Sequence, residues 1–150
     1  MAFKFRILLV FVAFVFQMDQ LKSQIDMDDF SLVLIGNNTG LKTISEFEMK
    51  QFFSGKHYRW PNNQNVMVVL PSSKHSRVEL YSNMIYNKSF YSVKKYWYSL
   101  VFQGRYDPPY FFDSDQKIID FVKNNKGSFA IVKDCELIPD ELRIAIKNKG

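Results

Sequence analysis

The strongest constraint on this chain is a pair of short apolar runs without alternation, VMVVL at residues 66–70 and SFAIV at residues 128–132. A strand with one wet face alternates apolar and polar residues. An unbroken β-branched run therefore belongs to a strand covered on both faces. Helices stacked on either side of a sheet supply that cover. FSLVLI at residues 30–35 reads as a further strand, stopped by Gly36-Asn37-Asn38, and PYFF at residues 109–112 as a short one.

The intervening segments carry helical signals. Ser45 and Glu48 spell a capping box flanked by Ile44 and Met49, and that helix runs to Gly55. Ser76 and Glu79 repeat the box, which predicts a helix from Ser76 to about Tyr86. Val93, Tyr96, Trp97, Leu100 and Val101 follow i, i+3, i+4, i+7, i+8 spacing up to Gly104. Ser114 caps a last helix that turns Ile118, Phe121 and Val122 inward. Strands alternating with helices imply βαβ units and a mostly parallel sheet flanked by helices, an α/β domain.

The first residues follow a different pattern. Lys4 and Arg6 precede an apolar block at residues 7–16, and a polar exit follows. Ten apolar residues are too few for a bilayer, which needs ~20. Basic start, short apolar middle and polar exit are the pattern of a secretory signal peptide, so residues 1–24 are expected to be a leader and residues 25–150 the folded domain. No membrane anchor remains once such a leader is removed. The expected location is periplasmic or secreted, in a bacterium.

Composition limits the function classes. Hydrophobic residues make up 47% of the chain, too many for a disordered protein. Without the leader, 17 basic and 14 acidic residues remain, a net charge of +3. That is too small an excess to point to nucleic acid. Cys135 is the sole cysteine, so there is no intrachain disulfide and no zinc pattern. An exported protein without disulfides fits a bacterial envelope better than a small extracellular eukaryotic domain.

Catalysis has little support. His57 and His75 lack a nucleophile pattern around them, and no P-loop, G-x-S-x-G or H-E-x-x-H is present. The pairs Glu46/Glu48 and Asp113/Asp115 are two residues apart and do not share a helix face. They complement the dipoles of helix starts. An enzyme is not expected, nor is a cofactor or a metal.

The stretch LPSSKHSRVELY at residues 70–81 is more informative. A helix beginning at Ser76 places Lys74, His75 and Arg77 at the positive end of the dipole, where cations are disfavoured. Backbone N–H groups, serine hydroxyls and clustered positive charge together describe an anion site. Beyond the carboxyl end of a strand is also where α/β folds bind ligands. A solvated cap, with Lys74 and Arg77 extending into water, accounts for the same residues. Among the aromatics, Tyr96 and Trp97 belong to the apolar helix face. Tyr98, Tyr106 and Tyr110 are the surface candidates.

Four stretches in order resemble the phosphate-type periplasmic substrate-binding proteins, especially their short, single-lobe members. They are ISEFEMKQFFSGKHYRWPN, VMVVLPSSKHSRVELYSNMI, YWYSLVFQGRYDPP and SDQKIIDFVKNNKGSFAIV, which together cover most of residues 31–133. The resemblance implies a type II periplasmic-binding-protein-like lobe. It also implies binding of inorganic phosphate or a similar oxyanion, linked to uptake by an ABC transporter. In that family the loop before this helix holds the anion. The matching residues here are Ser72, Ser73, Ser76 and Arg77. The alternative is an envelope protein-interaction module with a degenerate ligand site, serving a protein partner. The absence of glycine between Pro71 and Arg77, together with Lys74 and His75, favours it.

Overall fold

The computed structural model describes residues 31–147. The expected leader at residues 1–24 lies outside them. The described chain runs β1 (Leu32–Gly36), β2 (Thr43–Ser45), α1 (Glu46–Phe53), β3 (Met67–Pro71), α2 (Val78–Tyr86), α3 (Phe90–Phe102), β4 (Tyr110–Phe112), α4 (Asp115–Asn124), β5 (Ser128–Lys133) and β6 (Arg143–Lys147). A 3-10 turn at Asp140–Leu142 leads into β6.

The strands form one six-stranded sheet in the order β2-β6-β1-β5-β3-β4. Strand β3 is parallel to β4 and β5, and β2 is parallel to β6. Strand β1 opposes both of its neighbours, with Leu34 level with Ile131 and with Ile144. The sheet is thus mostly parallel, with one reversed strand near its middle. The two unbroken apolar runs are its innermost parallel strands, and Val68–Pro71 and Ser128–Val132 are buried throughout.

Alternate residues of those strands face two different layers. Ile35, Val69, Ala130 and Val132 pack with Ile118, Ile119 and Val122 of α4, and Ile138 and Leu142 close this side. The opposite layer is aromatic. Phe129 meets Phe53 at 4.3 Å and Trp60 edge-on at 5.1 Å, while Trp60 stacks on Phe52 at 4.2 Å.

The polar ends of these rings are bonded, as burial of a polar group requires. Trp60 Nε1–H donates to the Gly127 carbonyl at 2.8 Å. Trp97 Nε1–H donates to the Tyr86 hydroxyl, which donates in turn to the Phe53 carbonyl. Burial pushes the Tyr86 phenol above its ordinary range. Trp97 therefore serves the core, as its helical spacing predicts, while Tyr96 is partly buried with its hydroxyl donating to the Ser54 carbonyl.

Two helix starts agree with the sequence. Ser45 accepts from Glu48 N–H, and Glu48 accepts back from Ser45 N–H, closing the capping box of α1. Ser114 Oγ accepts from Lys117 N–H at the start of α4. The third start differs. Helix α2 begins at Val78 with Arg77 at the N-cap and no side-chain cap, and not at Ser76. Strands β2 and β6 were not anticipated. Both are short or half-exposed, and they pair with each other across 102 positions of sequence.

Candidate functional site

At the carboxyl end of β3 the chain turns through loop 72–77 before α2 begins. Backbone bonds within the loop and to β4 shape that turn. Ser72 N–H donates to the Phe112 carbonyl at the end of β4, which ties the loop to the neighbouring strand. Ser72 Oγ accepts from Lys74 N–H at 3.3 Å, and His75 N–H donates to the Ser72 carbonyl at 3.0 Å. This tight turn drives the His75 ring inward, where it is only 4% exposed.

His75 is the pivot of a polar cluster not evident from its loop-like sequence setting. Its Nδ1 accepts from Arg77 N–H at 3.1 Å. The ring proton of the neutral form therefore lies on Nε2, which faces Asp115 Oδ1 at 3.3 Å. The Tyr81 hydroxyl, fully buried, donates to both Asp115 oxygens at 2.9 and 3.1 Å. Burial, and after it the Asp115 charge, push the Tyr81 phenol above its ordinary range. Arg77 Nη1 stands 3.9 Å from Asp115 Oδ2, at the outer edge of the cluster. Asp115 is the first residue of α4, so its carboxylate also complements that helix's dipole.

The second capping box does not form. Arg77 N–H is taken by His75 Nδ1, and Val78 N–H donates to the His75 carbonyl in a tighter turn. Glu79 then serves the next helix, with its Oε2 accepting from Phe90 N–H at 3.0 Å. A donor 11 positions further on, at the start of α3, thus takes the carboxylate that the box needed.

The four residues expected at the site all lie on this one loop. Ser73 and Ser76 are exposed, Ser72 is partly buried and braces the turn, and Arg77 sits at the helix start with its side chain 40% exposed. The first turn of α2 carries Glu79 as its acidic residue, and that carboxylate is engaged with α3. Chemically, the loop offers hydroxyl donors, a guanidinium and a helix start without a side-chain cap.

A groove of about 890 Å³ lies elsewhere, at the start of β3. Its walls include His57, Tyr58, Asn65, Arg105, Tyr106 and Asp107. Tyr106 is partly buried there, whereas Tyr98 and Tyr110 are exposed. Among the described residues, no group of three His, Cys, Asp or Glu side chains could hold a metal ion. Nor is any helix there long and apolar enough to cross a membrane.

No family model matches the chain, and no curated protein matches it. Solved structures do. A putative phosphate ABC transporter substrate-binding protein from Clostridium perfringens, solved with bound phosphate, superposes with a TM-score of 0.57 at 14% identity. The match covers 79% of this chain and 44% of that one. An ABC-type phosphate transport receptor from Vibrio cholerae gives a TM-score of 0.49 at 11% identity, over 69% of this chain and 41% of its own. This chain thus spans less than half the length of either. At such identity the likeness is one of fold, a lobe of the periplasmic-binding-protein type.

Proposed function

We propose that this chain is an exported solute-binding-type domain that takes phosphate or a related oxyanion on loop 72–77. The observation that carries the proposal is the start of α2. It opens at the carboxyl end of β3 without a side-chain cap, beside the exposed hydroxyls of Ser73 and Ser76 and the half-exposed guanidinium of Arg77. Arg77 supplies the charge, Ser73 and Ser76 supply hydroxyl donors, and Ser72 braces the turn. The fold likeness to a receptor that holds phosphate supports the same ligand class.

Export rests on the leader pattern at residues 1–24, and the domain is residues 25–150. Delivery of the anion to an ABC transporter completes the proposal. The role is binding and not catalysis. On an open loop the ion stays partly hydrated and its pairing with Arg77 is screened, so the affinity is low. Calorimetric titration with phosphate and with sulfate tests this. Heat at millimolar phosphate, lost in Arg77→Ala, is the expected result. No heat and no thermal shift at those concentrations would refute it.

One observation favours a second reading, an envelope protein-interaction module with a degenerate ligand site. Asp115 already places a carboxylate against His75 and Tyr81 and near Arg77. In that reading the loop's anion is internal. The readings separate on Asp115→Ala: anion binding that appears only in this variant supports the second.

A further inference from the structure

We infer that the outer face of α3 is a docking surface for anionic lipid, used in peripheral and reversible contact. The inference is independent of the oxyanion loop. Helix α3 presents two faces at helical spacing. Phe90, Val93, Trp97 and Leu100 are buried, and Tyr91, Lys95, Tyr98 and Phe102, at i, i+4, i+7 and i+11, form the outer stripe. The aromatic members of that stripe are conspicuously wet: Tyr91 is 71% exposed, Tyr98 51% and Phe102 89%.

Cations are interleaved with these rings. Lys95 Nζ lies 5.6 Å from the Tyr91 ring centre, and Lys94 Nζ lies 5.6 Å from that of Tyr98 and 5.8 Å from that of Phe90. The surrounding sequence sharpens the charge. Residues 80–106 hold Lys88, Lys94, Lys95 and Arg105 and no carboxylate, a local charge of +4 between Glu79 and Asp107.

Three arguments select lipid as the occupant. The charge is complementary to an anionic surface and to nothing acidic on the same segment. Tyrosines settle at headgroup depth, lysines reach the phosphates above them, and a phenylalanine at the end of the stripe reaches the acyl boundary. Area argues against a stable protein interface. At ~200 Å² per ring the three exposed aromatics offer roughly 400 Å². A standard protein partner needs about 800 Å² on each side.

A face-specific reporter tests the inference on the full chain, independently of the apolar block at residues 7–16. Phe102→Trp places an indole on the stripe. Phe47→Trp places one at an exposed position of α1, between Glu46 and Glu48, where an anionic surface is repelled. Trp60 and Trp97 are buried and give a constant background.

With phosphatidylcholine vesicles containing a quarter phosphatidylglycerol, the Phe102→Trp emission should shift to the blue and be quenched by brominated acyl chains. The Phe47→Trp emission should not change. Adding Lys94→Glu and Lys95→Glu should weaken vesicle binding at least tenfold. An unchanged Phe102→Trp spectrum overturns the inference, as does an equal response at both positions or with pure phosphatidylcholine. A blue shift without vesicles, with a dimer mass in light scattering, overturns it in favour of a second copy.

Discussion

Replacing Asp115 by alanine should unlock loop 72–77 from α4, at a cost that can be worked from the contacts. The carboxylate accepts one bond from the Tyr81 hydroxyl, shared between its two oxygens, and faces His75 Nε2 at 3.3 Å. A hydrogen bond to a charged group contributes about 1.5–3 kcal/mol. Tyr81 is fully buried and His75 nearly so, so water cannot simply replace the lost acceptor. The Arg77 contact at 3.9 Å is half-exposed and screened, and adds little. Loss of the acidic residue at the start of α4 adds a few tenths of a kcal/mol.

The sum is about 3 kcal/mol, a large share of a typical domain stability of 5–15 kcal/mol. With a urea slope of about 2 kcal/mol per molar, the unfolding midpoint should fall by about 1.5 M. Tyr81→Phe should be milder, because the carboxylate it abandons is 19% exposed and reaches water. The double variant should show a coupling of at least about 1 kcal/mol. Urea melts followed by far-ultraviolet circular dichroism on the four proteins supply every value. Additive effects, or a loss below about 0.5 kcal/mol in Asp115→Ala, would falsify the account of the cluster as a lock.

Two further substitutions test the framework around the site. Gly127 adopts φ +87°, and a Cβ there would lie 2.2 Å from the Asn65 carbonyl oxygen, while the Gly127 carbonyl holds Trp60 Nε1–H and Met67 N–H. Gly127→Ala should therefore cost at least about 2 kcal/mol in urea melts, and a stability within 0.5 kcal/mol of the parent, on the ~1 kcal/mol scale of such backbone effects, would contradict this. Ser45→Ala removes the cap of α1 and should cost about 1 kcal/mol at neutral pH. The Ser45 hydroxyl, and then its amide, hold the Glu48 carboxyl below the ordinary carboxylate range, so Ser45→Ala should raise its titration midpoint in carbon NMR. Because the folded value is the depressed one, this stabilisation is complete above the ordinary range, near pH 4, and fades as pH falls through the folded midpoint. An unmoved Glu48 midpoint would count against the capping box.

Much of this architecture is legible in short windows of sequence. The runs at residues 66–70 and 128–132 announce strands buried on both faces, because a residue's need for cover is written in its own side chain. The caps at Ser45 and Ser114 are legible because donor and acceptor lie three residues apart. The assignment of Ser72, Ser73, Ser76 and Arg77 as site residues comes from the family resemblance and stands as a proposal. Tyr106 shows the limit of short windows: its exposure depends on packing near Gly55 and Trp97, which no window around residue 106 contains.

By itself, then, the sequence determined the α/β class, the two-sided inner strands and the loop that carries the serines and Arg77. The tertiary structure alone decided the reversal of β1, the late pairing of β6, and how LPSSKHSRVELY is used. Ser76 and Glu79 spell the same box as Ser45 and Glu48, yet only the latter forms. The turn at Ser72 carries His75 inward against Asp115, His75 takes Arg77 N–H, and Phe90 N–H takes the Glu79 carboxylate. The reason is the range of the competing bonds. A local signal holds where nothing outside its window offers its donors and acceptors a better partner, and for Glu79 the first N–H of α3 does.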